Sequence, residues 1–250
     1  MVRLFAVAVL LGLAACSDQI HLGTEPPYWS ADTETGDLSQ WAEGAPNAGG
    51  PPVLSANAQL TVVTSPTHSG KFAVRSAIFA TGKTEYARLY RWGNPPNLPN
   101  DAYFRIWMWI PERYTIGVYW NVFEFQGRSD AASPNSLTLL WSLDLEQAAN
   151  GDMSWYLFDD LRQSKHLPSI PTVAPIQRWF LVEAFMHQAT DNTGRIAFWI
   201  DGAPLVDVSG VSTVLSTWLS WDVGGAASNI TQQPAEIYLD DAAIARTASE

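Results

Sequence analysis

Residues 103–110 read Tyr103-Phe104-Arg105-Ile106-Trp107-Met108-Trp109-Ile110. Phe104, Ile106, Met108 and Ile110 share one side of a period of two, and Tyr103, Arg105, Trp107 and Trp109 share the other. Successive side chains of a strand face opposite ways, so this stretch is a strand with one apolar face to bury. The pattern recurs at 179–187, where Phe180, Val182, Ala184 and Met186 oppose Glu183, Phe185 and His187. It recurs again at 195–201, where Ile196, Phe198 and Ile200 oppose Arg195, Ala197 and Trp199. Between these two stands Asp191-Asn192-Thr193-Gly194, a hairpin turn by residue type, because Asn and Gly tolerate positive φ. Further strand patterns lie at 60–63, 72–79, 86–92, 120–126, 137–144, 153–158 and 236–244. About ten strands with turn signals between them, and no amphipathic helix, predict an all-β protein built as a two-sheet antiparallel sandwich.

Composition agrees. Of 250 residues, 47% are hydrophobic and 16% charged, enough apolar material for one sizeable core and too much for a disordered chain. The chain has 12 Trp, 10 Phe and 8 Tyr beside 17 Gly and 16 Pro, a mixture that favours strands and turns. With 25 Asp+Glu against 14 Lys+Arg, the formal charge of −11 repels phosphate backbones and excludes general nucleic-acid binding.

The first residues read as an address. Residues 1–15 combine an early Arg3, an apolar run too short to span a bilayer, and small residues at the end, the pattern of a signal peptide. Leu13-Ala14-Ala15-Cys16 resembles the lipobox of bacterial lipoproteins, in which the cysteine is acylated and becomes the mature terminus. Cys16 is the only cysteine, so no intrachain disulfide competes for it. A multiply acylated terminus is a stable membrane anchor. The expectation is a lipid-anchored protein of the bacterial cell envelope, with Ser17 after the cysteine pointing by resemblance to the outer membrane. Residues 16–30, with Pro26-Pro27, read as a tether, and 31–248 as one domain.

Five segments, in order along the mature chain, resemble the concanavalin-A-like jelly rolls, in particular laminin-G-like and heparin-lyase-I-like proteins. They are Glu34-Thr35-Gly36-Asp37-Leu38-Ser39-Gln40-Trp41, His68-Ser69-Gly70-Lys71-Phe72-Ala73-Val74-Arg75, Trp109-Ile110-Pro111, the hairpin from Thr193-Gly194-Arg195 to Trp199-Ile200-Asp201-Gly202, and Ile237-Tyr238-Leu239-Asp240-Asp241. The resemblance implies a jelly-roll domain that handles polysaccharide. Such a fold hosts lectin-like modules, lyases and hydrolases, so the residues must choose.

Motifs for serine hydrolases, zinc proteases and phosphate loops are absent. A hydrolase of this fold needs a Glu-x-Asp-x-Glu type strand, and neither Glu124-Phe125-Gln126 nor Asp144-Leu145-Glu146 supplies one. β-Elimination from a uronate needs a group that neutralises the carboxylate, a base for the C5 proton and an acid for the leaving oxygen. Arg88, Tyr90, Gln126 and His187 are the candidates for those roles. Two positions depart from the lyase pattern: Lys83-Thr84-Glu85-Tyr86-Ala87 stands where an Arg-x-Glu-x-Arg strand is expected, and Gly225 where a late Tyr is expected. Sugar rings stack on aromatics and bond to polar side chains, which nominates Trp92, Trp107, Trp109, Trp120, Glu124, Trp155, Tyr156 and Trp199 as glycan contacts. The same resemblance implies a structural Ca²⁺ held by Glu34 and Asp240; no organic cofactor is implied. The leading expectation is a surface-anchored polysaccharide-binding lipoprotein, with a uronate-cleaving lyase as the alternative. A protein-binding surface is the third reading.

Overall fold

The computed structural model describes residues 26–41, 53–93, 98–128, 137–216 and 218–248, and every regular element among them is a strand. The leader, Cys16 and the indole of Trp92 lie outside the described residues. In chain order the first strands are β1 (Trp29–Ala31), β2 (Val53–Leu54), β3 (Ala58–Val63), β4 (Ala73–Ile78), β5 (Thr81–Gly93), β6 (Asp101–Trp109), β7 (Thr115–Ile116) and β8 (Trp120–Arg128). They are followed by β9 (Leu137–Gln147), β10 (Met153–Asp159), β11 (Ser164–His166), β12 (Trp179–His187), β13 (Gly194–Ile200), β14 (Ala203–Val211), β15 (Leu219–Thr231) and β16 (Ala235–Ala245). β1 pairs Trp29 with Ile244, so the sheet begins two residues before the expected boundary at residue 31.

Two 8-stranded antiparallel sheets form the sandwich. The first runs β14-β13-β12-β6-β16-β4-β3 with β1 on β16; the second runs β11-β10-β9-β8-β15-β5-β2 with β7 on β15. Strands distant in sequence are therefore neighbours in the middle of each sheet, as a jelly roll requires. The alternating segments bury the faces that the sequence predicts: Phe104, Ile106 and Met108 of β6, Phe180 and Val182 of β12, and Ile196 and Phe198 of β13 are all at most 1% exposed. Rings from the two sheets meet edge to face, Phe104 against Phe125 at 4.8 Å and Phe198 against Phe123 at 5.2 Å between centroids. The hairpin at 191–194 closes as expected, with Asp191 Oδ1 accepting from the Thr193 amide at 3.0 Å.

Two irregularities decide what faces outward from the second sheet. Against β9, the register of β8 shifts between Asn121 and Phe123. A bulge flips the alternation at that point. Trp120, expected on the same face as Glu124 and Gln126, is therefore buried in the core against Tyr114, and Asn121 takes the outer position. Opposite it, β15 shifts between Val223 and Ala226. Gly224 sits there at φ +122, where a Cβ would stand 2.3 Å from the Ala87 carbonyl oxygen, so only glycine lets β5 and β15 approach. A side chain at Gly225 would enter the interior, meeting Trp120 Nε1 and Ile78. The tyrosine expected at 225 would thus not reach the outer face; the outward position is Ala226, beside Tyr86 and Asn121 on the flanking strands.

Candidate functional site: a groove on the outer face of the second sheet

The side chains of β5, β8, β9, β10 and β15 that point away from the core line a groove of about 700 Å³. β5 contributes Tyr86, Arg88 and Tyr90 by strict alternation, and β8 contributes Asn121, Glu124 and Gln126. β9 adds Ser142 and Asp144, β10 adds Tyr156, the following turn adds Asp160, and β15 adds Ser220 and Asp222. An outer sheet face ordinarily meets water. Here Arg88, Glu124, Asp144 and Asp222 are 9%, 2%, 4% and 5% exposed, so the floor of the groove is both polar and dry.

Arg88 Nη1 donates to Glu124 Oε1 at 2.7 Å. Asn121 Nδ2 donates to Glu124 Oε2 at 2.9 Å, and Gln126 Nε2 donates to both Glu124 Oε1 and Asp222 Oδ2, the latter at 3.2 Å. Ser220 bonds Asp222 Oδ1, while the Ser142 hydroxyl lies between Asp144 and Asp160 at 3.3 and 3.4 Å. Four carboxylates thus share the groove with the nearly buried guanidinium of Arg88, and Arg128 lines it as well. Burial opposes the charge on Arg88, but Glu124, Asp222 and Asp144 together outweigh it and raise its pKa, so Arg88 stays charged. Burial pushes Asp144 up to about 7, against a hydrogen bond from Tyr156 and with Asp160 and Glu124 adding to it. Burial also lifts Asp222 to about 7, with Glu124 reinforcing it and Arg88 and Ser220 pulling back. Asp160 rises to about 6 for the same reasons, burial first and Glu124 second. At one end Lys165 lies 4.1 Å from the Tyr156 ring and pairs with Glu146.

Of the residues nominated from sequence, Arg88, Tyr90, Glu124, Gln126 and Tyr156 converge in this groove. The others do not. Trp155 turns inward and packs on Phe180, because it alternates with Tyr156. Trp107, Trp109 and Trp199 are half-buried on the outer face of the first sheet, the far side of the sandwich. There the His68 ring stacks on Trp107 at 3.8 Å and Trp109 meets Trp179 edge on. His187 is on that sheet too, at the end of β12, bonded to Asp101 at 2.8 Å. Glu183, in phase with His187 on β12, is 3% exposed. Asn121, Ser142, Asp160, Ser220 and Asp222 are groove residues that the sequence reading misses. Ser142 lies in outward phase on β9; Ser220 and Asp222 lie on β15, which joins β8 only through the jelly-roll order; Asn121 is turned outward by the bulge, and Asp160 lies in the turn after β10.

Glu34 and Asp240 do stand close to one loop, but as acceptors for its amides. Glu34 Oε1 accepts from Lys71 and Phe72 at 2.8 and 3.0 Å, and Asp240 Oδ2 accepts from His68 and Ser69 at 2.9 and 3.4 Å. A Ca²⁺ site gathers about six to eight oxygens. Among the described residues no group of three or more His, Cys, Asp or Glu is disposed to hold a metal ion. N–H groups occupy the positions a cation would need, so this donor set does not fit one.

No family model matches the chain. No curated protein matches it either. Solved structures do. An endo-β-1,4-glucuronan lyase from the fungus Trichoderma reesei superposes with a TM-score of 0.62 at 14% identity, over 89% of this chain and 96% of that one. The cellulose-induced protein Cip1 gives 0.53 at 17% identity, over 87% and 97%. The marine PL-14 alginate lyase from Aplysia kurodai gives 0.53 at 12% identity, over 88% and 99%. The fold is that of jelly-roll polysaccharide lyases. At these identities the likeness speaks for the fold; the chemistry has to come from the groove.

Proposed function

We propose that the protein is a polysaccharide lyase that cleaves a uronate-containing glycan by β-elimination in the groove of the second sheet. The observation that carries this reading is the convergence of Arg88, Gln126 and Tyr90, joined by Asn121 and Tyr86, on one buried polar floor. In β-elimination the C5 proton passes to a base, the C4–O4 bond breaks as the C4=C5 double bond forms, and the departing oxygen takes a proton. Arg88, Gln126 and Asn121 are the groups suited to the uronate carboxylate, whose neutralisation acidifies C5. No histidine lines the groove among the described residues, and the proton-transfer roles are given to phenols that stand on either side of Arg88. Tyr86 and Tyr90 flank Arg88 on the same strand face, two residues to either side, about 7 Å apart along the strand from it. They are assigned the base and acid roles as a pair.

Glycan binding without cleavage is the second reading, and one observation favours it: Arg88 is already paired with Glu124 in a floor crowded with carboxylates. One experiment separates them. Mixing the protein with glucuronan, alginate and heparin-like polymers should produce the ultraviolet absorbance of an unsaturated uronate, and Tyr86→Phe with Tyr90→Phe should abolish it while glycan is still bound. Binding with no absorbance on any polymer would leave the binding reading alone. The envelope anchor belongs to the same proposal, supported by Leu13-Ala14-Ala15-Cys16. Metabolic labelling with a fatty acid should mark the natural chain and spare Cys16→Ala.

A further inference from the structure

The donors on the groove floor are shared out unequally. Glu124 receives three donors, the Arg88 guanidinium and the amides of Asn121 and Gln126. Asp222, between Tyr90 of β5 and Glu124 of β8, accepts from two neutral groups, Gln126 at 3.2 Å and the Ser220 hydroxyl. Asp144, between Asn121 of β8 and Tyr156 of β10, has a buried Oδ1 with no hydrogen-bond partner among the described residues. Its other charged neighbours are Asp160 across Ser142, Glu124 and Arg88, with Glu146 paired to Lys165 beyond Tyr156. Arg88 is therefore committed to Glu124, while Asp222 and Asp144 accept from neutral groups, Gln126 and Ser220 on one and Ser142 and Tyr156 on the other, and face further carboxylates. Arg128 also lines the groove, on β8 beyond Gln126. A uronate entering such a floor adds one more negative charge where charge is most costly.

We propose that a uronate carboxylate is admitted to this groove only together with protons, which reside on Asp144 and Asp222, so that these two residues set whether the groove takes an anionic or a neutral β-linked sugar. With both neutral, Arg88 and Glu124 cancel, and the incoming carboxylate meets Gln126, Asn121 and Arg88 without opposition from the flanks. With both ionised, a neutral glycan of the same backbone is preferred. The raised pKa values of the two groups agree with this distribution of donors. The inference rests on the uronate-binding reading above and deepens it.

The test compares a glucuronan oligosaccharide with cellotetraose, which has the same β-1,4 backbone and lacks the carboxylates, under conditions where no unsaturated product forms. Calorimetric titration in two buffers of different ionisation enthalpy counts protons. The uronate oligomer should take up one proton or more, and its affinity should fall about tenfold for each pH unit above neutrality per coupled proton. Cellotetraose affinity should stay flat. Asp222→Asn and Asp144→Asn, checked for folding by circular dichroism, should each lower the proton count and keep uronate affinity at alkaline pH. Uronate binding with no proton exchange, or with the same pH profile in both variants, overturns the proposal and leaves the uronate reading intact. Cellotetraose binding with no uronate binding at any pH, or no binding of either, removes the uronate reading and this inference with it.

Discussion

The two outer faces of the sandwich are made by the same alternation and have opposite characters. On the second sheet the outward positions of β5, β8, β9 and β15 carry Arg88, Glu124, Asp144 and Asp222, and nearly all of that polarity is buried. On the first sheet the outward positions of β6, β12 and β13 carry Trp107, Trp109, Trp179 and Trp199, and those indoles are only half-buried. Aromatic content alone draws attention to the first sheet and away from the buried charges of the second. Charges withdrawn from water interact more strongly because the local dielectric falls, and the second sheet gathers Arg88, Glu124, Asp144 and Asp222 in one groove, where the first buries Glu183 and Asp240. Indoles covering strands at a water boundary gain area burial and little else.

The sharpest way to break this contrast is at Arg88. Arg88→Met leaves Glu124 buried beside Asp222 and Asp144 without its ion-pair partner. Loss of one partner of a buried pair costs about 3–5 kcal/mol, which urea unfolding should record together with loss of all uronate turnover. Replacing both partners, Arg88→Met with Glu124→Leu, should recover most of that stability, since an apolar pair is often no worse than a buried ionic one. It should not recover activity. If the double variant stayed as unstable as the single, the floor would be held by more than this ion pair.

The next effect is a pH dependence peculiar to the groove. Asp144 and Asp222 sit at about 7 in the folded chain and near the ordinary carboxyl value of about 4 when unfolded. Between those values the folded state binds more protons at these two sites, so their contribution to stability is full below about pH 4, declines as pH rises, and is gone above about pH 7. The decline should amount to a few kcal/mol, at about 1.4 kcal/mol for each tenfold difference in proton affinity. Denaturant midpoints across that window should show it, and Asp222→Asn should flatten it. A midpoint that rises with pH from 4 to 7 would show that these carboxyls are ionised in the folded protein.

How much of this was legible beforehand differs between the two sheets. The first sheet was legible because β6, β12 and β13 alternate without interruption, so 103–110, 179–187 and 195–201 announce both their strands and their faces. The second sheet was less so. β15 contains Gly224-Gly225 and a run of small residues, and its pattern does not read as a strand. The bulge at Val122 reverses phase within β8, which is why Trp120 was expected beside Glu124 and is found in the core. Arg88, Tyr90, Glu124 and Gln126 were within reach because each lies on a single regular segment. The carboxylate ring was not, because Asp144, Asp160 and Asp222 come together only through the strand order β10-β9-β8-β15. His187 was chosen for its chemistry alone, which carries no information about which sheet its strand joins.

A smaller effect tests the aromatic face. Trp199→Ala removes a half-buried indole from β13, and it should cost about 1–2 kcal/mol in urea unfolding, less than a core Trp, because much of the ring already meets water. Polysaccharide turnover and oligosaccharide affinity should be unchanged, since the sandwich core separates this face from the groove. A loss of glycan affinity in this variant would make the first sheet a second glycan surface and dissolve the contrast between the faces.

The smallest effect concerns His187, the residue on which chemistry and position disagree most. Its side chain and that of Asp101 are 35% and 59% exposed, so their pairing is an ordinary surface contact. Exposed pairs contribute at most about 1 kcal/mol and often nothing measurable. His187→Ala should therefore leave the denaturant midpoint nearly unchanged, and it should leave the rate of unsaturated-product formation unchanged at every pH. A histidine acting as base would behave otherwise: its removal would lower turnover by a factor of about 10²–10⁴ and erase an ionisation near neutrality from the pH profile. Because the groove has its own titrating groups near pH 7 in Asp144 and Asp222, an ionisation that persists in His187→Ala and disappears in Asp222→Asn would assign the profile to the second sheet. The opposite pattern would move the chemistry across the sandwich, and the groove would then hold the glycan without cleaving it.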